Sequence, residues 1–203
     1  MLHVSERKQL YRFLAGLFAY PDQELVAALT RGEAEQAARL AGIGDIPPKL
    51  PKADPLADLE TGFTDLFINR LGGVPVPPYG SVYLEQAGIL MGASTLKVLD
   101  AYRKESLSLE RSSEPPDYLA TELEFLYYLV GQEEEALQQR QVETARAFSL
   151  KQQAFVNKLL SPWLPVFCHR LEAVPGGHPL YRWGGKLLRR FGELEVEWLE
   201  RLP

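Results

Sequence analysis

Chemistry-bearing residues are scarce in this chain. Cys168 is its only cysteine, and His3, His169 and His178 are its only histidines. A lone cysteine closes no intramolecular disulfide, so nothing indicates an oxidising compartment. No two histidines sit at i, i+4 beside a carboxylate, and the adjacent Cys168 and His169 suit a shared metal poorly, so no metal site is expected. Gly72-Gly73 and Gly184-Gly185 lack the lysine and strand context of a phosphate loop, and no nucleophile elbow occurs. The sequence therefore indicates neither an enzyme nor a bound cofactor. No apolar run approaches the roughly 18 residues that span a bilayer. Residues 1–10, interrupted by Glu6, Arg7 and Lys8, lack the apolar stretch and cleavage site of a secretory signal. Arg189-Arg190 falls inside a helical pattern near the C-terminus and cannot serve as a leader. The expected location is the cytoplasm, without stable membrane insertion.

Basic charge is also short. The 22 Lys and Arg against 27 Asp and Glu leave a net charge of −5, which argues against nucleic acid and is compatible with a cationic peptide partner. Arg182, Lys186, Arg189 and Arg190 alternate with Glu193, Glu195 and Glu197, the pattern of a solvated helix face. Hydrophobic residues make up 46% of the 203 positions, ample for a folded core.

No segment alternates convincingly as a strand, no internal repeat appears, and helical periodicity dominates. The expected fold is all-α, with about nine or ten helices. Leu10, Leu14, Leu17 and Phe18 share the face of a helix ending at Tyr20-Pro21. Helices are predicted at 23–30, 33–40, 55–70 and 92–106, with a proline-bearing linker at 42–54. Residues 79–91 are ambiguous. Leu119, Leu123, Leu126, Tyr127 and Val130 form a stripe that Phe125, Tyr128 and Leu129 widen, implying burial on more than one side. A long helix is read over 132–160, with a break near Ser149 and the Glu133-Glu134-Glu135 cluster at its start. Ser161-Pro162 reads as the next N-cap and first turn, and a final helix runs from His178 with Glu195 on its solvated side. The polar stretch 108–116 suggests a hinge between an N-terminal lobe, 1–107, and a C-terminal lobe, 117–203. Such a link permits either a monomer or a domain-swapped dimer.

Two clusters stand out. Glu114-Pro115-Pro116-Asp117-Tyr118-Leu119 precedes the apolar stripe, its prolines fixing the approach to a helix. Glu114 and Asp117 stand where they accept the free N–H groups of that first turn, or where they meet a ligand's cations. Upstream, Pro77-Pro78-Tyr79-Gly80-Ser81-Val82-Tyr83-Leu84 puts two tyrosines on a stiff loop, either to line an apolar peptide groove or to plug the core.

These two clusters resemble, in order, the two sequence signatures of the TorD/DmsD family of cytoplasmic redox-enzyme maturation chaperones. The likeness extends to residues 10–21, to Leu159-Leu160-Ser161-Pro162-Trp163-Leu164-Pro165 and to residues 180–191. The resemblance implies an all-helical chaperone that binds the twin-arginine signal peptide of a molybdenum-containing oxidoreductase precursor until the cofactor is inserted. Its peptide-binding positions would be Tyr79, Gly80, Ser81, Tyr83 and Leu84, with Glu114, Pro116, Asp117 and Tyr118. The family usually has histidine where this chain has Tyr118, and many members carry tryptophan at Tyr79. On this reading Glu114 and Asp117 pair with the leader arginines, and the tyrosines line its apolar part. Two alternatives stand beside it: a NarJ-like assembly chaperone for a cytoplasm-facing nitrate reductase subunit, and a GTP-binding or hydrolysing protein.

Overall fold

The computed structural model describes residues 2–85, 91–109 and 114–201. Ten α-helices occur among them: α1 Val4–Phe18, α2 Gln23–Thr30, α3 Glu33–Ala41, α4 Pro55–Phe63, α5 Gly80–Leu84, α6 Ala93–Lys104, α7 Leu119–Gln138, α8 Val142–Phe155, α9 Leu164–Ala173 and α10 Pro179–Glu200. The only strand-like pairing among the described residues is an isolated antiparallel bridge between Tyr79 and Tyr118. The expected hinge lies partly outside the described residues, which omit 110–113, as does part of the ambiguous segment, which omits 86–90.

Local chemistry accounts for several helix starts. Asp22 accepts the N–H of Leu25 at 2.9 Å to open α2, and Asp54 accepts that of Ala57 at 3.2 Å ahead of Pro55 to open α4. Gly42, at φ 68°, ends α3 in the left-handed conformation that glycine adopts without strain.

Helix α1 is the central element. Leu10, Leu14, Leu17 and Phe18 are buried as their spacing predicts, and the helix packs against both α7 and α10. One hydrophobic cluster extends from Leu10 to Leu199. Within it Phe63 and Phe67 lie 4.9 Å apart edge to face, Phe67 and Tyr181 5.5 Å, and Phe18 and Phe167 5.8 Å. The broad stripe on α7 is buried as expected, at Leu119, Leu123, Phe125, Leu126, Leu129 and Val130.

Four expectations are corrected. Helix α7 does not stop near residue 131 but continues to Gln138. The break falls at Gln139–Gln141, where Arg140 takes φ 59° and Gln141 donates to the Ala136 carbonyl at 2.8 Å. No glycine or proline marks that turn. Ser149 stays helical, its buried hydroxyl donating to the Ala145 carbonyl at 3.1 Å.

The second correction concerns Glu133-Glu134-Glu135, which lies in the last turns of α7, the end where carboxylates are disfavoured. Cations from α1 offset that cost: Arg7 reaches Glu133 at 3.2 Å and Lys8 reaches Glu134 at 2.7 Å. The third concerns Ser161, which closes the preceding helix instead of opening the next. Helix α8 continues in a π-helical turn, Val156–Leu160, and the Ser161 N–H donates to the Val156 carbonyl at 2.8 Å. Trp163 then precedes α9, whose first turn carries Pro165.

Glu195 departs furthest from its solvated expectation. It is buried and accepts the Nε and Nη2 N–H groups on one edge of the Arg7 guanidinium, at 2.7 Å each, while Tyr11 donates to it at 2.8 Å. Arg7 also donates to Gln152 at 2.6 Å and lies 3.7 Å over the Trp198 ring, joining α1, α7, α8 and α10 in one buried polar junction. Burial opposes the Arg7 charge, but the hydrogen bonds and carboxylate charge of Glu195 outweigh it and hold the guanidinium above its ordinary range.

Candidate functional site

The two sequence clusters, far apart along the chain, meet as one clasp. Pro77-Pro78 delivers Tyr79 in extended backbone, at φ −127° and ψ 127°, opposite Tyr118. Gly80 donates to the Asp117 carbonyl at 2.9 Å, and Leu119 donates to the Pro78 carbonyl at 2.9 Å. One Asp117 carboxylate oxygen then accepts the N–H of Ser81 at 2.7 Å. Asp117 thus caps a helix, but the capped helix is α5 and not the one that follows it, which corrects the local-capping expectation. Glu114 likewise makes no bond to α7. It accepts the Tyr79 hydroxyl at 2.8 Å.

Further bonds anchor the clasp. Tyr118 donates to the Phe18 carbonyl at the end of α1 at 2.6 Å, and Tyr102 on α6 donates to the Pro116 carbonyl at 2.8 Å. Tyr79 and Tyr118 hold their rings 5.6 Å apart. Tyr83 stacks on Trp163 at 5.6 Å, donates to the Pro77 carbonyl at 2.9 Å and lies under the Arg170 guanidinium at 5.1 Å. Gly80 is required by packing, because a Cβ there would stand 2.9 Å from Trp163 Nε1.

The nine sequence candidates therefore divide by exposure. Gly80, Ser81, Pro116, Asp117 and Tyr118 are buried inside the clasp. Tyr79 and Tyr83 are half-buried, whereas Glu114 and Leu84 reach the surface. Desolvation first, then the Glu114 hydrogen bond, raises the Tyr79 hydroxyl above the ordinary phenol range. Tyr118 is raised by burial and next by the charge of Glu114, with Glu124 contributing.

Sequence reasoning missed two neighbours of this clasp. Glu122, on α7, is wholly buried, and neither of its oxygens makes an ordinary hydrogen bond. Burial, followed by the Asp117 charge, holds its carboxyl well above the usual range, and the Trp163 indole draws it back in part. Its sequence signal was an acid at the position between Leu119 and Leu126 on the apolar stripe. The second is a cleft of about 520 Å³ between α1, α2 and α7, floored by Ala15, Gly16 and Leu25, with Tyr20 and Tyr127 on its walls. Asp22, Glu24, Glu33 and Glu124 line it against a single cation, Arg12. Burial also raises the Glu124 carboxyl, which makes no ion pair among the described residues. No group of three or more His, Cys, Asp or Glu that suits a metal occurs among the described residues, and none of their helices is long and apolar enough to cross a membrane.

Comparison with known proteins agrees with this architecture. The family model described as nitrate reductase delta subunit matches residues 21–169. The chain is 30% identical over 210 residues to the chaperone protein TorD of Vibrio vulnificus (strain YJ016), covering 96% of this chain and 95% of that protein. It is 27% identical to the TorD of Vibrio atlanticus (strain LGP32), with 96% and 95% covered. It is 31% identical to the selenate reductase assembly chaperone protein of Thauera selenatis, with 84% and 79% covered. The matches, on an all-helical fold, define the class as an assembly chaperone. The chain belongs to the TorD family of redox-enzyme maturation chaperones.

Proposed function

We propose that this protein binds the twin-arginine leader of an exported molybdenum-containing oxidoreductase precursor and retains that precursor in the cytoplasm until its cofactor is in place. One observation carries the reading. Glu114 and Glu124 are both exposed, both lie close enough to Tyr118 to act on its hydroxyl, and neither has an ion-pair partner among the described residues. A leader presents two guanidinium groups and then an apolar stretch. Two unneutralised carboxylates beside half-buried aromatic rings and an apolar-floored acidic cleft are complementary to it.

The clasp divides the work. Asp117, Ser81, Gly80, Pro116 and Tyr118 hold the frame, while Tyr79, Tyr83, Leu84 and Glu114 present its edge, with Glu124 on the neighbouring cleft. The Tyr79 hydroxyl orients Glu114, and the rigid proline segments reduce the ordering cost of binding.

Calorimetric titration tests this with a synthetic leader peptide and its Lys-Lys counterpart. The Arg-Arg peptide is expected to bind more tightly, and Glu114→Gln or Glu124→Gln to weaken it about tenfold each at low salt. Equal binding of both peptides, or indifference to both substitutions, would sink the proposal. Purification from the anaerobically grown host extends the test to the client. An unprocessed leader-bearing precursor supports the reading, and a leaderless nitrate reductase subunit would replace it with the NarJ-like one.

A further inference from the structure

A second cleft, of about 490 Å³, runs between α6, α7 and α8 on residues that the clasp does not use. We propose that it is a docking surface for an amphipathic helix with acidic flanks, contributed by a protein partner. This proposal does not depend on leader binding.

The lysines of its walls carry the argument. Lys97 and Lys104 stand seven residues apart on α6, and Lys151 and Lys158 stand seven residues apart on α8 and its continuation. Seven residues is two helical turns, about 10 Å along the axis. The α6 wall therefore presents two cations at the spacing with which a helix repeats its own face, and the facing wall presents Lys151 on α8 and Lys158 on its π-helical continuation. Between them each wall has an alanine, Ala101 on α6 and Ala154 on α8, and small side chains there admit a third backbone. Phe125, Leu129 and Phe155 lie buried beneath the floor, and its accessible apolar edge is Leu159 with Ala101 and Ala154. A third helix laid in this cleft would bury an apolar seam on that floor and place acids at positions i and i+7 against the lysines of both walls.

Charge fixes the occupant's sign. Four lysines line the cleft against only Asp100 and Glu105. Lys104 pairs with Asp100 at 2.7 Å and Lys151 with Glu105 at 2.8 Å. Lys97 and Lys158 form no ion pair among the described residues. A cationic cleft on a chain of net charge −5 is a local reversal of sign. It repels a basic leader and attracts an acidic helix. The floor also opposes a nucleic-acid reading, since Phe125 and Phe155 pack on each other at 4.9 Å and have no free ring face on which a base could stack.

The probe is a fluorescent helical peptide of about two heptads, leucines along its seam and glutamates on both flanks, compared with the same peptide carrying lysines on its flanks. Fluorescence anisotropy on the full-length protein should show binding of the Glu-flanked peptide that weakens as salt is raised. The double variant Lys97→Glu, Lys158→Glu should weaken it by at least about tenfold, and Ala154→Arg, which fills the cleft from an exposed position, should abolish it. Thermal unfolding by circular dichroism should be unchanged in both variants, which reports intact folding without reference to the leader site. Equal affinity for both probes, no binding of the Glu-flanked probe, or indifference to both variants would overturn the proposal. So would displacement of the probe by a nucleoside triphosphate at stoichiometric concentration, which would mark the cleft as a small-anion site.

Discussion

The Asp117 carboxylate accepts the backbone N–H of Ser81 at 2.7 Å, so a residue in the loop before α7 caps α5 across 36 positions of sequence. Asp117 is 1% exposed and Ser81 wholly buried, so no water replaces this bond when it is lost. Asp117→Ala is expected to cost about 1–3 kcal/mol, the range for a buried donor left unpaired. Denaturant midpoints measure it. A variant as stable as the parent would mean that the clasp does not depend on this bond.

Gly80 occupies its position for a packing reason. A Cβ there would meet Trp163 Nε1 at 2.9 Å and Cε2 at 3.2 Å. Gly80→Ala should push α5 off the indole, lower stability by about 1–3 kcal/mol, and change the near-ultraviolet circular dichroism of Trp163. An unchanged spectrum with full stability would refute the contact.

How much of this was legible in the sequence depended on whether the determinant was local. The bounds of α2 and the starts of α3 and α4 followed from periodicity and from Asp22, Asp54 and Pro55, all short-range signals. The turn at Arg140 carries no glycine or proline, so its signal is absent from the chain. Asp117 reads as either a cap or a cation partner, and that it caps α5 is a tertiary fact that no spacing encodes. Glu122, Glu133 and Glu195 each occupy a position on an otherwise apolar stripe, at Leu119-Leu126, Val130-Ala136 and Phe191-Leu199 respectively. That mismatch was readable, since an acid on a buried face needs a partner or a proton. The identity of the partner, Arg7 for Glu195 and Glu133, was not.

Arg7 makes the fold depend on charge at its centre. Arg7→Ala leaves Glu195 and Glu133 buried without a cation and is expected to cost about 3–5 kcal/mol. Replacing the trio together, Arg7→Met with Glu195→Leu and Glu133→Leu, removes the buried charges as a set and should recover most of that loss. Urea unfolding of both variants decides it. A triple variant no better than Arg7→Ala would show that the junction stabilises the fold through its geometry more than through its charge balance.

Glu122 makes stability depend on pH in a direction opposite to most carboxylates. Burial, then Asp117, raises its folded-state pKa well above the ordinary value of 4.5, so the folded chain holds a proton that the unfolded chain releases. This contribution is fully present below pH 4.5 and declines as pH rises toward the folded pKa, by at most about 1.4 kcal/mol per pH unit. Glu122→Gln keeps the shape without the ionisation. Its melting temperature relative to the parent should rise as pH climbs above 5. A difference that stays constant over this range would show that Glu122 titrates alike in both states.

Leader binding should itself respond to acid, through Glu124. Partial desolvation of this surface residue raises its carboxyl above the ordinary 4.5, so it gains a proton on mild acidification. An arginine bonds well to a carboxylate and poorly to a carboxylic acid. Affinity for the Arg-Arg peptide should therefore fall as pH drops from 7 toward 5, by up to about tenfold where this one pairing is lost. In Glu124→Gln the affinity should start lower and change less over the same range, because the titrating partner is gone. A parent and variant with parallel pH profiles would move the arginine contact away from the α1, α2, α7 cleft and leave Glu114 as its remaining acceptor.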